Sequence, residues 1–444
     1  VKLFGLYTDN NLATYASILD IWGNKFGFVP LNHKFPKQRL LQIIEQTGID
    51  TVYCNKASKK AVAELGIKKF VFNDNLPYNP TIQFDNIPFH SIKTAYVLFT
   101  SGSTGEPKGI PIRFRNLEAL CYDLARRFQL IPLDKVLQTF ELSFDVSVAC
   151  CLMAWQSNAS LHLAPLNGII PVDAIKLILE KRINVVTIAP STVSYLKRYR
   201  ILDEINLDFV TDTIFTGEAL PWKYVEEWKK VAPNSTIYNA YGPTENTVWS
   251  MFYKVHSNTP NEIKNGLVPI GTPLKGFKIK MAPVDGVNNP IQGELWVRGP
   301  QVFAGYLNNK QLTRETLIKD KLGVWYKTGD LVEALPSGDF MYLSRIDQQV
   351  QVNGYRVEPG EVEHKIKTVL EIDTCAVIPI QKENEPTWLL AAIEKSDLSK
   401  EETDRLREVI PFYMMPRKFL ALPQLPINSN GKIDRNKLKT EYGK

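Results

Sequence analysis

The stretch Leu98-Phe-Thr-Ser-Gly-Ser-Thr-Gly-Glu-Pro-Lys-Gly109 gathers anion-binding chemistry into one short segment. Gly102, Gly105 and Gly109 let the backbone turn so that successive N–H groups converge on one point. Thr100, Ser101, Ser103 and Thr104 add hydroxyl donors, and Lys108 adds a positive charge. Such a loop suits a polyphosphate. Its spacing matches neither the G-x-x-x-x-G-K-[ST] nucleotide loop nor the G-x-G-x-x-G dinucleotide fingerprint, and it is not the G-x-S-x-G elbow of hydrolases. Read by itself it also fits a flexible surface connector, where Gly, Ser and Thr are common.

A phosphate loop needs rigid elements to hold it. Residues 95–100 (AYVLFT) read as a buried strand feeding the loop, and 116–130 as a helix with Leu117, Leu120, Cys121, Leu124 and Phe128 on one face. A helix at 173–182 leads to a strand at 185–188, and a strand at 213–215 leads to a helix at 221–230. Strands alternating with helices of this length imply βαβ units and a parallel sheet covered on both faces. After Gly266 the pattern changes to alternating segments such as 275–282 and 293–298, expected of antiparallel hairpins or a small barrel. From near Arg345 a third pattern begins, with a strand pair in 349–357, a helix at 359–369, strands at 375–380 and 388–393, and a helix at 400–409. The expected fold class is therefore α/β: a large N-terminal α/β domain (residues 1–345) with parallel sheets and a small barrel-like β region, and a smaller C-terminal α+β domain (346–444). No internal repeat is visible, which removes solenoid folds.

Composition narrows the function classes. The chain has 444 residues, 53 Lys+Arg against 47 Asp+Glu, a net charge of +6 and 44% hydrophobic residues, as a soluble globular protein should. That charge is small for the size and partly concentrated in 432–444, so nucleic acid is not an expected partner. Five cysteines, an odd number without a C-x-x-C pair, fit a reducing, cytoplasmic setting. The longest apolar run, 146–155, falls far short of the ~18 residues of a membrane span, and no export signal is expected.

Further segments follow the loop in a fixed order: Tyr238-Asn-Ala-Tyr-Gly-Pro-Thr-Glu245, Gly293-Glu-Leu-Trp-Val-Arg-Gly299, Tyr326-Lys-Thr-Gly-Asp330, Ser344-Arg-Ile-Asp347, Gly354-Tyr-Arg-Val-Glu-Pro-Gly-Glu-Val-Glu363 and Asn430-Gly-Lys-Ile-Asp-Arg435. With the loop, this series resembles the adenylate-forming (ANL) superfamily over essentially the whole chain. It is most similar to the amino-acid adenylation domains of nonribosomal peptide synthesis and their stand-alone relatives, including the D-alanine-activating enzymes of cell-wall modification.

The resemblance implies a carboxylate attacking the α-phosphate of ATP with release of pyrophosphate, so that two anions must be held in line. By the same resemblance Thr100, Ser101, Gly102, Ser103, Thr104 and Gly105 would clamp the β- and γ-phosphates, with Lys108 closing the loop. Tyr241 would lie on the adenine face and Asn239 at its edge, Thr244 would touch the α-phosphate, and Glu245 would ligate Mg²⁺. Asp330 would accept the ribose hydroxyls, supported by Arg345. Lys432 would bridge the substrate carboxylate and the α-phosphate, Asp347 would be the hinge about which the small domain turns, and Arg356 is expected at phosphate in one of its orientations.

The segment Phe144-Asp145-Val-Ser147 resembles the one whose Asp pairs with a substrate α-ammonium, and a carboxylate buried among apolar residues does ask for a cation. The side-chain pocket would be lined by Val146, Ala149, Thr187, Ile214, Thr216, Ala240, Val248 and Trp249, none of them ionisable. Ala149 and Ala240 leave room while Trp249 removes it, and residue volume does not decide between them; the expectation is a small to medium neutral amino acid.

Departures from the pattern include Gln351 where Lys is usual, Asn353 where Arg is frequent and Ser344 for a common Gly. The opening segment usual in the family is expected to be missing before Val1, and no carrier segment is expected after Lys444. The function implied is activation of an amino acid as aminoacyl-AMP, followed by transfer to the phosphopantetheine thiol of a carrier protein, either a separate protein or a module of a longer chain. An acyl- or aryl-CoA ligase is the alternative enzyme, which Asp145 argues against. A nonproductive nucleotide-binding module would require the loss of Lys432 or Glu245.

Overall fold

Short apolar strands separated by amphipathic helices build two parallel-rich sheets in the computed structural model, which describes residues 2–8, 10–75, 84, 87–102, 106–347, 349–381, 386–427 and 433–443. Backbone contacts divide the chain into two units, one comprising residues 1–32, 44–98 and 109–346, the other 33–43, 99–108 and 347–444. The smaller unit thus takes in the segment around Arg39 and the phosphate loop itself.

In the larger unit one sheet runs in the order Lys69–Phe72, Thr51–Cys54, Leu3–Thr8, Gly27–Asn32, Thr94–Thr100, Lys108–Arg113. Its first five strands pair in parallel. A second sheet has the order Thr272–Pro273, Met251–Lys254, Thr236–Tyr241, Asp212–Thr216, Val185–Ile188, Lys135–Gln138, Ser160–Leu163, parallel except for the first two strands. Thr187 stands in register beside Ile214, and Thr216 beside Ala240. The third sheet is antiparallel, with Lys278–Ala282, Gln292–Arg298, Gly323–Ala334 and Leu317–Asp320 in order and Phe340–Arg345 on the long strand.

The apolar run 146–155 lies in the helix Asp145–Gln156, whose residues from Asp145 to Ala154 are all buried. It is apolar all round because it is enclosed all round. Among the described residues no helix is long and apolar enough to cross a membrane. Two helix starts fall earlier than periodicity places them, for reasons of capping. Phe114–Phe128 begins two residues before Asn116 because the Asn116 side chain, in the third position, accepts the Arg113 N–H at 2.9 Å. Ile170–Lys181 begins early because Pro171 sets a helical φ in its first turn.

In the smaller unit Val350–Val352 and Tyr355–Val357 form a hairpin, followed by the helix Pro359–Leu370. Cys375–Ile380, Trp388–Glu394 and Lys418–Leu422 form a mixed sheet packed with the helix Arg435–Tyr442 through Ile378, Leu390 and Leu438. All five cysteines are free and buried. Burial pushes every one of these thiols up, Cys150 and Cys375 to about 12.

Candidate active site

The carboxyl ends of the parallel strands, where an open α/β sheet binds its ligands, carry Thr187, Thr216 and Tyr241. Beyond Tyr241 the chain makes a tight passage through Gly242 to Ser250. A Cβ on Gly242 would meet the Val248 carbonyl and come within 2.7 Å of Trp249 Cα, so only glycine fits. Thr247 and Val248 adopt φ of +58° and +67°, which is strained for β-branched residues.

The strain is held by Gln301, wholly buried. Its Nε2 donates to the carbonyls of Trp249 (2.8 Å), Thr247 (3.2 Å) and Asn246 (3.3 Å), while its main-chain carbonyl accepts from Thr247 Oγ1 at 2.6 Å. Nothing in the sequence singles out Gln301 beyond its place just after the Gly293–Gly299 segment. Gln301→Ala would orphan these buried carbonyls and is expected to cost ~2–4 kcal/mol in denaturant unfolding of the chain.

This passage positions three polar side chains. Asn239 donates its amide to Pro269 O (2.9 Å) and Val268 O (3.4 Å), which fixes the side-chain orientation. Glu245, in the turn Thr244–Asn246, is buried, and its Oε1 accepts the Tyr306 hydroxyl at 2.8 Å. Tyr306 is another residue that the sequence did not flag.

The third is Asp145, in the first turn of its helix. Its carboxyl is pushed up to about 6 by burial, against the hydrogen bonds of Thr244 and of the Val248 and Val146 backbone, and with Glu245 adding repulsion. Burial outweighs the favourable helix N-terminus. Asp145 Oδ2 is buried without a hydrogen-bond partner. Nearby, the buried Tyr96 hydroxyl also lacks one, and the Asp145 charge helps burial hold that phenol well above its usual range.

Of the residues expected to line a side-chain pocket, Val146 and Val248 stand at Asp145, and Thr187, Ile214, Thr216, Ala240 and Trp249 pair among themselves on or beside the neighbouring strands. Val146 adjoins Asp145 and Val248 meets its carboxyl, while Trp249 Nε1 donates to Thr216 Oγ1 at 2.8 Å beside Ala240. Thr187 lies beside Ile214 and contributes to the surroundings of Cys150, the residue after Ala149.

Asp330 and Arg345 face each other across the antiparallel strands Gly323–Ala334 and Phe340–Arg345. Arg345 Nη1 donates to Asp330 Oδ1 at 2.8 Å and to Thr328 O at 2.7 Å, and Tyr241 donates its hydroxyl to Asp330 Oδ2. Burial, then the Asp330 charge, hold the Tyr241 phenol well above its usual range.

The smaller unit holds residues 99–108, the loop expected to bind phosphate. Ser103, Thr104 and Gly105 lie outside the described residues, as does Lys432. Thr100 ends the strand that enters the loop. Ser101 Oγ donates to Arg356 O at 3.0 Å, the Gly102 N–H donates to Glu361 Oε2 at 3.1 Å, and Lys108 Nζ meets Glu358 Oε1 at 3.2 Å. Glu361 Oε1 is also paired with Arg39 Nη1 at 3.0 Å, and both side chains are fully buried. Burial raises the Glu361 carboxyl despite Arg39. Glu358 further accepts from Gln349, which in turn accepts from Arg356 Nε at 2.7 Å. Two of these loop donors, the Gly102 N–H and Lys108, therefore already hold carboxylates, which is the chemistry of an anion seat. Asp347 begins the last segment of this unit and caps the Gln349 N–H at 3.1 Å.

Among the described residues no cluster of three His, Cys, Asp or Glu could hold a metal by itself. Glu245 is a buried carboxylate whose charge reaches the buried Asp145 carboxyl. Such a donor suits Mg²⁺ arriving with a nucleotide, since that ion takes one or two carboxylates and fills its shell with phosphate and water.

Residues 2–307 match the family model described as AMP-binding enzyme. Tyrocidine synthase 3 of Brevibacillus parabrevis is 31% identical over 451 residues, covering all of this chain and 7% of that protein. Bacitracin synthase 2 of Bacillus licheniformis is 29% identical over 97% of this chain and 16% of its own length. The chain thus spans less than a fifth of either relative. Among solved structures, IdnL7 superposes with a TM-score of 0.70 at 29% identity, over all of this chain and 89% of that one. The Vibrio cholerae adenylation domain AlmE, in complex with glycyl-adenosine-5'-phosphate, gives 0.83 at 21%, over 99% and 89%. This last likeness speaks to the fold alone.

Proposed function

The chain belongs to the AMP-binding enzyme family, and from that membership we propose an amino-acid-activating ligase that forms aminoacyl-AMP from ATP and passes the acyl group to a carrier-protein phosphopantetheine thiol. The observation that carries the amino-acid reading is Asp145, a buried carboxylate with an orphaned oxygen that an ammonium group satisfies. A fatty or aryl acid brings no such cation. Relatives that are tyrocidine and bacitracin synthases by name support the same reading.

Within it, Ser101, Gly102 and Lys108, with Thr100, Ser103, Thr104 and Gly105, hold the β- and γ-phosphates, which displace the carboxylates of Glu358 and Glu361. Asn239 meets adenine through its carbonyl oxygen, its amide being turned to the backbone. Tyr241 lies against the base, Asp330 takes the ribose, and Arg345 holds Asp330 in place. Thr244 adjoins the α-phosphate, Glu245 receives Mg²⁺, and Lys432 offsets charge as carboxylate and phosphate approach. Asp347 is the hinge between the two half-reactions.

The test is ATP/pyrophosphate exchange across the L-amino acids, D-alanine, β-alanine and a set of aryl and fatty acids. Exchange dependent on an amino acid is expected. Exchange with aryl or fatty acids alone would transfer the chain to the CoA-ligase reading.

A further inference from the structure

Arg39 lies in the helix Lys37–Thr47, within the smaller unit, and its side chain is fully buried. Its Nη1 donates to Glu361 Oε1 at 3.0 Å, while Nε and Nη2 are buried without hydrogen-bond partners. A guanidinium offers its N–H donors in a planar fork that fits both oxygens of one carboxylate. Glu361 has a second oxygen to give, but Oε2 is turned to the Gly102 N–H at 3.1 Å. One carboxylate is therefore divided between Arg39 and residues 99–108, and Arg39 is left short.

The surroundings favour a fuller pairing with Arg39. The Phe35 ring lies 5.4 Å from the guanidinium carbon and covers it without offering an acceptor. Lys365, one turn beyond Glu361 in the helix Pro359–Leu370, attracts the same carboxylate. On the other side, a Cβ on Gly102 would stand 2.0 Å from the Glu106 carbonyl, so only glycine fits and its N–H is left to a partner from elsewhere in the chain. The terminal torsion of a glutamate is broad, so an oxygen can pass from one donor to the other without displacing the helix.

We infer that Glu361 is a stand-in for phosphate with two positions. With the seat empty it spans Gly102 and Arg39; when a polyphosphate takes the Gly102 N–H it turns wholly onto Arg39, completes the fork and satisfies an orphaned nitrogen. Arg39 is then a positioning residue, holding the displaced carboxylate where it does not repel the nucleotide. The inference rests on the reading of residues 99–108 as a phosphate loop. It reaches the product as well, since pyrophosphate leaves against a carboxylate ready to take back its donor, which favours release.

The experiment is calorimetric binding of ATP and of pyrophosphate, each with Mg²⁺, together with exchange kinetics, for the unaltered chain, Glu361→Gln, Arg39→Lys, both together, and Lys108→Ala. Glu361→Gln removes the competing charge and should tighten ATP and pyrophosphate ~5–10-fold, with the KM for the amino acid unmoved. Arg39→Lys keeps the charge but loses the fork and should weaken both ~10-fold, again without moving the KM for the amino acid. In the double variant no displaced charge needs receiving, so affinity should lie within ~2-fold of Glu361→Gln alone. Unchanged or weaker pyrophosphate binding in Glu361→Gln would overturn the inference, as would additive effects in the double variant. Arg39→Lys retains both charges and tests the idea even if Glu361→Gln does not fold; unchanged ATP and pyrophosphate binding in it would overturn the inference too. Lys108→Ala weakening neither ligand would instead overturn the phosphate-loop reading on which it stands.

Discussion

Asp145→Ala is expected to lower amino-acid-dependent ATP/pyrophosphate exchange ~10²-fold or more, because a substrate ammonium would then be buried without its counter-charge. Asp145→Asn keeps the shape and should lose nearly as much, which separates charge from packing. The pH profile is a second signature. If, as proposed, the substrate ammonium pairs with the ionised carboxylate, then with a carboxyl at about 6 the apparent KM for the amino acid should rise about tenfold per pH unit below that value. In Asp145→Asn this limb should vanish.

The same group carries a stability signature of the opposite sense to most aspartates. Between the unfolded value of roughly 3.9 and about 6, the folded chain holds a proton that the unfolded chain has released, so stability falls as pH rises through that window. Above it the penalty is complete, ~2–3 kcal/mol. Asp145→Asn should therefore be more stable than the unaltered chain at pH 7 and no different near pH 4, by denaturant midpoint at each pH. A variant that is inactive yet stabilised is what a site kept for a ligand produces; equal stability at both pH values would argue that the orphaned oxygen carries no strain.

The second large effect is expected at Asp330. Asp330→Ala removes the acceptor proposed for the ribose and leaves the Arg345 guanidinium, with only 15% of its side chain exposed, without its carboxylate. The KM for ATP should rise ~10²-fold, and stability should fall by ~2–4 kcal/mol. Asp330→Asn should restore much of the stability but little of the affinity, since one carbonyl oxygen replaces two. Tyr241→Phe is the control, because it removes the phenol donor on Oδ2 and leaves the carboxylate and Arg345 in place. If Asp330→Ala raised the KM for the amino acid but not for ATP, the ribose assignment would fall.

Strand-helix alternation in the sequence is matched by the parallel sheets because each strand there is a short apolar run with a punctuated end, such as residues 185–188 and 212–216. Helix starts were less legible, since they depend on single side chains such as Asn116 reaching back to the backbone. The motif segments located Asp145, Glu245, Asp330 and Arg345, residues embedded in short strings of fixed order. Gln301, Tyr306 and Arg39 are isolated side chains whose partners lie 52 to 322 positions away, so no local pattern marks them. The contest between Ala149, Ala240 and Trp249 was likewise closed to reading by volume alone. What the structure adds is the orientation of the indole, whose N–H the Thr216 hydroxyl accepts.

The five buried thiols have a practical corollary. Alkylating reagents attack the thiolate, and here that form is suppressed in every cysteine. The folded chain should be inert to maleimide or iodoacetamide, so a label can be placed on one introduced surface cysteine without removing the native ones. Cys375 sits in the smaller unit and the other four in the larger. Peptide mapping after timed alkylation would therefore give two separate clocks, one for the opening of each unit, written into the chain without any engineering.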